Sequence, residues 1–92
     1  MPMLHIITTS PFQSSALSEC LSFADTQDAL LLLGEGVYAT VRADAQLINR
    51  NVFVLQEHTE ARGLPHVTWA HYIEYHRMVE LTEQHHPIQT WF

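Results

Sequence analysis

Apolar residues along this chain fall into short continuous runs, separated by polar stretches that glycine and proline punctuate. Met3–Thr8 (MLHIIT) is apolar and β-branched and predicts a buried strand. It stops at Thr9-Ser10-Pro11. Ser10 there is a good helix cap, Pro11 suits the first helical position, and Gln13 completes a capping box. The helix so opened is predicted to run to about Ala24, with Phe12, Ala16, Leu17, Cys20, Leu21 and Ala24 in one broad stripe. Asp25–Asp28 is polar and turn-like. Ala29–Leu33 (ALLLL) is too short for a comfortable helix and continuous enough for a central parallel strand. Gly34-Glu35-Gly36 breaks it, and Val37–Val41 is predicted as a short helix. VFVL within Asn49–Gln56 is a third strand, followed by a short helix over Glu57–Arg62 that Gly63 and Pro65 stop. Ala70–Ile73 fits a fourth strand or the start of a helix. Tyr75, Met78, Val79 and Thr82 share a helical face, predicting a helix from about Tyr75 to His85. Pro87 ends it, and Ile88–Trp91 reads as a fifth, edge strand.

Strands alternating with short helices imply crossover connections. The expected fold is a small doubly wound α/β domain over residues 1–92, with a mostly parallel four- to five-stranded sheet and helices on both faces. A 92-residue chain buries only about 60–65% of the surface its unfolded form exposes. An apolar fraction of 47% is high for so small an interior, so part of it should lie against a partner. The formal charge is -6, with four basic residues, all arginine, scattered at 42, 50, 62 and 77. Phosphate contacts need clustered cations, so direct nucleic-acid binding is not expected, and an anionic membrane would repel the chain. The longest fully apolar stretch, Ala29–Leu33, is far below the roughly 20 residues of a membrane span. One cysteine excludes an intramolecular disulfide framework, and no signal-peptide pattern precedes Ser10. A reducing cytoplasm is the expected compartment.

Candidate chemistry is sparse. Gly34-x-Gly36 lacks the third glycine of a nucleotide fingerprint and follows the second strand. It reads as a glycine-driven turn, or as a loop (Gly34, Glu35, Gly36) that docks on a partner, since the carboxyl ends of parallel strands are where such folds bind. The seven histidines show no metal-ligand spacing, and His85-His86 are mere neighbours. Neither a metal nor a cofactor is expected. Asp25/Asp28 and Glu80/Glu83 read as solvated turn and helix-face residues. Ser14, Ser15 and Ser18 make no triad by spacing. Cys20 is the one reactive side chain. It lies in the apolar stripe, about ten residues beyond the cap, too far for the helix amino end to activate it. It is either a buried inert thiol or one that receives and passes sulfur.

LHIITTSPF (Leu4–Phe12), SECLSFA (Ser18–Ala24), LLLLGEGVYATV (Leu30–Val41) and ARGL (Ala61–Leu64), with MVELT (Met78–Thr82) and IQTW (Ile88–Trp91), together resemble the DsrH/TusB family of small sulfur-relay subunits. The resemblance spans nearly the whole chain. It implies a small doubly wound α/β domain. It also implies assembly with two homologous subunits, DsrE/TusD-like and DsrF/TusC-like, into a heterotrimer that doubles to a hexamer. Such complexes pass persulfide sulfur to a downstream acceptor protein, for 2-thiolation of the tRNA wobble uridine or for dissimilatory sulfur oxidation. Their principal persulfide cysteine lies on the DsrE/TusD-like subunit. The DsrH-like branch carries a first-helix cysteine in an SPF…SxxCLxFA context, and Cys20 falls on it. The resemblance thus implies a non-catalytic or accessory subunit, with Cys20 as an auxiliary persulfide carrier the alternative. A free-standing ligand-binding or interaction module is the reading outside the family.

Overall fold

A computed structural model describes residues 2–42, 44–85 and 87–92. Among these, β1 (Leu4–Ile7), β2 (Ala29–Leu32), β3 (Asn51–Leu55), β4 (His71–Ile73) and β5 (Ile88–Trp91) form one parallel sheet in the order β4-β3-β2-β1-β5. The first four strands step outward in one direction, and β5 then returns to the far side of β1. Right-handed crossovers place the early connections on one face and the return helix on the other. The packing follows that rule. Helices α1 (Ala16–Phe23), α2 (Ala39–Arg42) and α3 (Ala45–Ile48) bury Leu17, Cys20, Leu21, Ala39 and Leu47 against Ile7, Leu30, Leu32, Val52 and Val54. On the opposite face, α5 (Tyr75–Gln84) sets Leu81 and Met78 against Leu4, Ala29, Leu31 and Ile73. The expected doubly wound α/β architecture is therefore present, but its faces are unequal. One ten-residue helix covers the second face and leaves Ile6, Leu33 and Phe53 only partly buried.

The first helix starts later than its cap signal predicts. The carbonyl of Ser10 accepts from the N–H of Gln13 and of Ser14, at 3.1 and 3.0 Å, closing one isolated turn. The Ser14 hydroxyl then accepts the Ala16 N–H at 3.1 Å, and α1 begins there. Consecutive serines compete with the helical backbone for its own hydrogen bonds, which explains the restart. Phe12 consequently leaves the buried stripe and is 63% exposed. The second strand ends before Gly34-Glu35-Gly36, as expected, but the glycines do not merely separate it from a helix. They open one, as a 3-10 segment over Gly34–Tyr38 that runs directly into α2. A further helix, α3, is capped by Asp44, whose carboxylate accepts the Gln46 N–H at 2.9 Å. Residues Ala70–Ile73 resolve in favour of a strand. Helix α4 (Gln56–Ala61) ends at Gly63, with φ +63. There the N–H groups of Gly63 and Leu64 bond the carbonyls of Glu60 and Thr59, both at 3.1 Å, in the reverse turn that a left-handed residue allows. On α5 the buried face differs from the predicted one. Leu81 is sealed, whereas Tyr75 and Val79 are 60% and 39% exposed.

Gly36 sits where the 3-10 segment crosses the end of β1. A Cβ there would run into the Ile7 carbonyl oxygen, with the carbonyl carbon at only 2.7 Å. Both are backbone atoms of a central strand and cannot yield. Gly36→Ala is expected to lower the unfolding free energy by about 3 kcal/mol or more. Gly63→Ala has open space around it and bears only the left-handed penalty, about 1 kcal/mol. Paired urea denaturation curves check both.

Candidate functional site

The Cys20 side chain points from the middle of α1 into the sheet and is fully buried. Burial pushes its thiol up to about 12. Arg50 pulls the other way and Asp28 adds to the rise, so the charged neighbours do not rescue the thiolate. At pH 7 such a group stays protonated, whereas the thiolate is the species that attacks or accepts sulfur.

Two side chains to which the sequence assigned no part in a site frame this thiol. Arg50, just before β3, reaches back to the carboxyl end of α1. Its guanidinium donates to the carbonyls of Leu21, Ala24 and Asp25 at 3.1, 3.2 and 3.2 Å. It thereby satisfies carbonyls that a helix end leaves without intrahelical partners and sets a cation at the negative end of the dipole. Asp28 is not the solvated turn residue that the pattern suggests. It is buried, and its carboxylate accepts the Met3 N–H at 2.9 Å, the Asp25 N–H at 3.1 Å and His5 Nε2 at 2.8 Å. On the other side of the same ring, Trp91 Nε1–H donates to His5 Nδ1 at 3.0 Å. Because an indole N–H can only donate, Nδ1 must accept, and the proton sits on Nε2 facing Asp28. His5 is thus a neutral, completely buried imidazole with both nitrogens bonded. The only signal for it was a polar residue in the middle of an otherwise apolar strand.

The loop Gly34, Glu35, Gly36 is tied to its own domain. Gly34 has φ +54, and its N–H donates to His58 Nδ1 at 2.8 Å. Glu35 pairs with Arg62 Nε at 2.7 Å, and Gly36 lies buried on Ile7. Beside this loop, Ser10, Phe12, Gln13, Glu35 and Tyr38 line an open cleft of about 280 Å³ at the carboxyl ends of β1 and β2. The remaining histidines are dispersed. His66 stacks on Tyr72, His71 lies against Phe53, His76 neighbours Glu74, and His85 contacts the Leu81 carbonyl, while His86 falls outside the described residues. Among the described residues, no three His, Cys, Asp or Glu side chains gather closely enough to hold a metal ion. No helix among them is long and apolar enough to cross a membrane.

The chain is thus a small parallel α/β domain whose one thiol is sealed and whose glycine loop is bonded internally. The comparisons define its family. A family model described as DsrH like protein matches residues 9–88, and the chain belongs to that family. Protein TusB of Erwinia tasmaniensis is 42% identical over 67 residues, covering 67% of this chain and 70% of that protein. The fold is shared with the ychN protein from E. coli, at a TM-score of 0.75 and 18% identity over 98% of this chain and 99% of the other.

Two measurements check the site. Cys20 is expected to react with a disulfide reagent about 100-fold more slowly in the native chain than after unfolding in guanidinium. Asp28 has its carboxyl held below its ordinary 3.8. Burial is the strongest single influence and raises it, but the lowering influences, led by the hydrogen bonds from His5, Met3 and Asp25, outweigh it. A depressed carboxylate contributes stability above its unfolded value, and this is lost as pH falls through the folded one. Asp28→Asn is therefore expected to cost about 1–3 kcal/mol at neutral pH. The gap to the parent chain should narrow below 3.8 in a series of denaturation curves against pH.

Proposed function

We propose that this chain is the non-catalytic small subunit of a persulfide relay, holding two homologous DsrE/TusD-like and DsrF/TusC-like subunits in register while one of those carries the sulfur. The observation behind the assignment of a passive role is the burial of Cys20 with its thiol raised to about 12. A relay cysteine must meet a partner sulfur as a thiolate, and this one lacks both access and charge. Support for assembly comes from the surface. Tyr75 and Val79 on α5, together with Ile88 on β5, are large apolar side chains left in water around the thinly covered face of the sheet. Family membership supplies the identity of the subunits that would cover them.

Direct RNA contact does not belong to this subunit's part. All four arginines already bond within the chain: Arg42 to the Pro11 carbonyl, Arg50 to the end of α1, Arg62 to Glu35 and Arg77 to Gln84. With a charge of -6 there is no cationic surface to offer a phosphate backbone. Any tRNA contact falls to another relay component, and the compartment proposed is the cytoplasm. The same role serves either wobble-uridine 2-thiolation or dissimilatory sulfur oxidation. Measuring 2-thiouridine in tRNA from a strain lacking the subunit distinguishes the two.

Cys20→Ser tests the passive role. The hydroxyl replaces a soft thiol in an apolar layer at a cost of about 1–2 kcal/mol, which an extensive complex tolerates. Co-expressed with its two neighbours, the variant is expected to assemble normally and to support near-parental sulfur transfer from a persulfide donor. A one-sulfur mass increase on Cys20, lost in the variant together with transfer, would establish the carrier role instead.

A further inference from the structure

The cleft between the β1–α1 loop and the 3-10 segment has no thiol among its lining residues. At about 280 Å³ it lies just below the roughly 300–1,000 Å³ typical of small-molecule pockets. That is room for one long side chain. Two of its walls are aromatic, Phe12 and Tyr38. Its polar groups are the Ser10 hydroxyl, the Gln13 amide and the Glu35 carboxylate. No cation stands among these residues, and Glu35 is the one charged group. Glu35 bonds Arg62 through Oε2 alone. Its Oε1 takes no hydrogen bond from the described residues, and the Glu35 side chain is more than half exposed, so that oxygen is open to a second donor. Aromatic rings beside a carboxylate are suited to a cationic head on an aliphatic stem. The charge meets the π faces and the acid, and the methylenes cover the apolar wall. The overall charge of -6 favours a basic occupant further.

We propose that this cleft receives an arginine or lysine side chain from one of the two homologous partner subunits, a contact that rests on the relay assembly proposed above. The occupant belongs to a resident subunit, not a passing carrier. Phe12 is 63% exposed at the rim, and lasting interfaces are the ones that bury large aromatic side chains at their centre. The cleft thus fixes the orientation of a neighbour through one inserted cation.

The three-chain complex provides the test. A photoreactive p-benzoylphenylalanine at position 13 is irradiated in the assembled complex, and the crosslinked peptide is mapped by mass spectrometry. It is expected to contain an arginine or lysine of a partner subunit. In the same complex, Glu35→Gln and Phe12→Ala are each expected to raise the subunit dissociation constant about tenfold, and Glu35→Gln to flatten its salt dependence as well. Arg62→Gln removes the internal pair but leaves the acid, so it should leave association unchanged or strengthen it. A crosslink to a segment without basic residues, or none at all in an intact complex, overturns the inference. So does an Arg62→Gln effect equal to that of Glu35→Gln, which would make the acid merely structural. Failure of the three chains to assemble at all overturns the relay reading with it. Normal assembly with the cleft facing solvent overturns only the inserted cation.

Discussion

A neutral imidazole without access to solvent stands in β1, an interior strand of the sheet, and the arrangement of the sheet depends on it. His5 donates a hydrogen bond from Nε2–H to Asp28, in the turn before β2, and accepts the Trp91 N–H from β5 on Nδ1. The two strands that flank β1 are those two. One ring therefore binds both neighbours of its own strand, across 23 residues in one direction and 86 in the other. In a low-dielectric interior each of these bonds is strong because the alternative is a buried polar atom with nothing to bond. Asp28 extends the network to the backbone at Met3 and Asp25. A shifted register of β2 or β5 would leave a buried acid, ring or indole unpaired, so the network selects one pairing from many that would bury leucine equally well.

The same packing closes over Cys20. Phe23, at the end of α1, sets its ring edge-on to His5 with centroids 6.0 Å apart and meets Trp91 at 5.8 Å. Arg50 fastens the helix end that follows. Helix α1 is thereby held flat on the sheet by contacts at its carboxyl end, and the thiol midway along it has nowhere to go but inward. The contacts that hold this helix down also seal its cysteine. A scaffold and a sulfur carrier would require opposite treatments of this helix.

Much of the architecture is legible in the sequence, because continuous apolar runs such as ALLLL have few alternatives to a buried parallel strand. The strands at Leu4–Ile7, Ala29–Leu32, Asn51–Leu55 and Ile88–Trp91 all fall inside their predicted ranges. The first helix starts more than a turn later than its cap signal because Ser10 and Ser14 carry the same capping chemistry, and only the packing of Leu17 and Cys20 chooses between them. On α5, Met78 and Leu81 compete with Tyr75 and Val79 for the role of inner face. Helical spacing alone does not choose, whereas the sheet below does. Of the site, the position of Cys20 in an apolar stripe was visible. Asp28 and Arg50 were not, since their partners lie 23 to 29 residues away and only the folded chain brings them together. The DsrH like family likewise rests on the order of several short segments, none of them diagnostic alone.

The return of β5 to the far side of β1 sets an order of events during synthesis. Residues 4–73 can pair strand by strand as they emerge, since each new strand joins the one before it. Until residues 88–91 have been made, however, β1 is an open edge, and His5 has only one of its two bonds. The nascent domain therefore waits with an unpaired strand edge and a half-bonded ring that will later lie in the sheet's interior. An unpaired edge of this kind is a template for other strands, and a chaperone or a sister subunit that arrives early meets it before the chain's own last strand does.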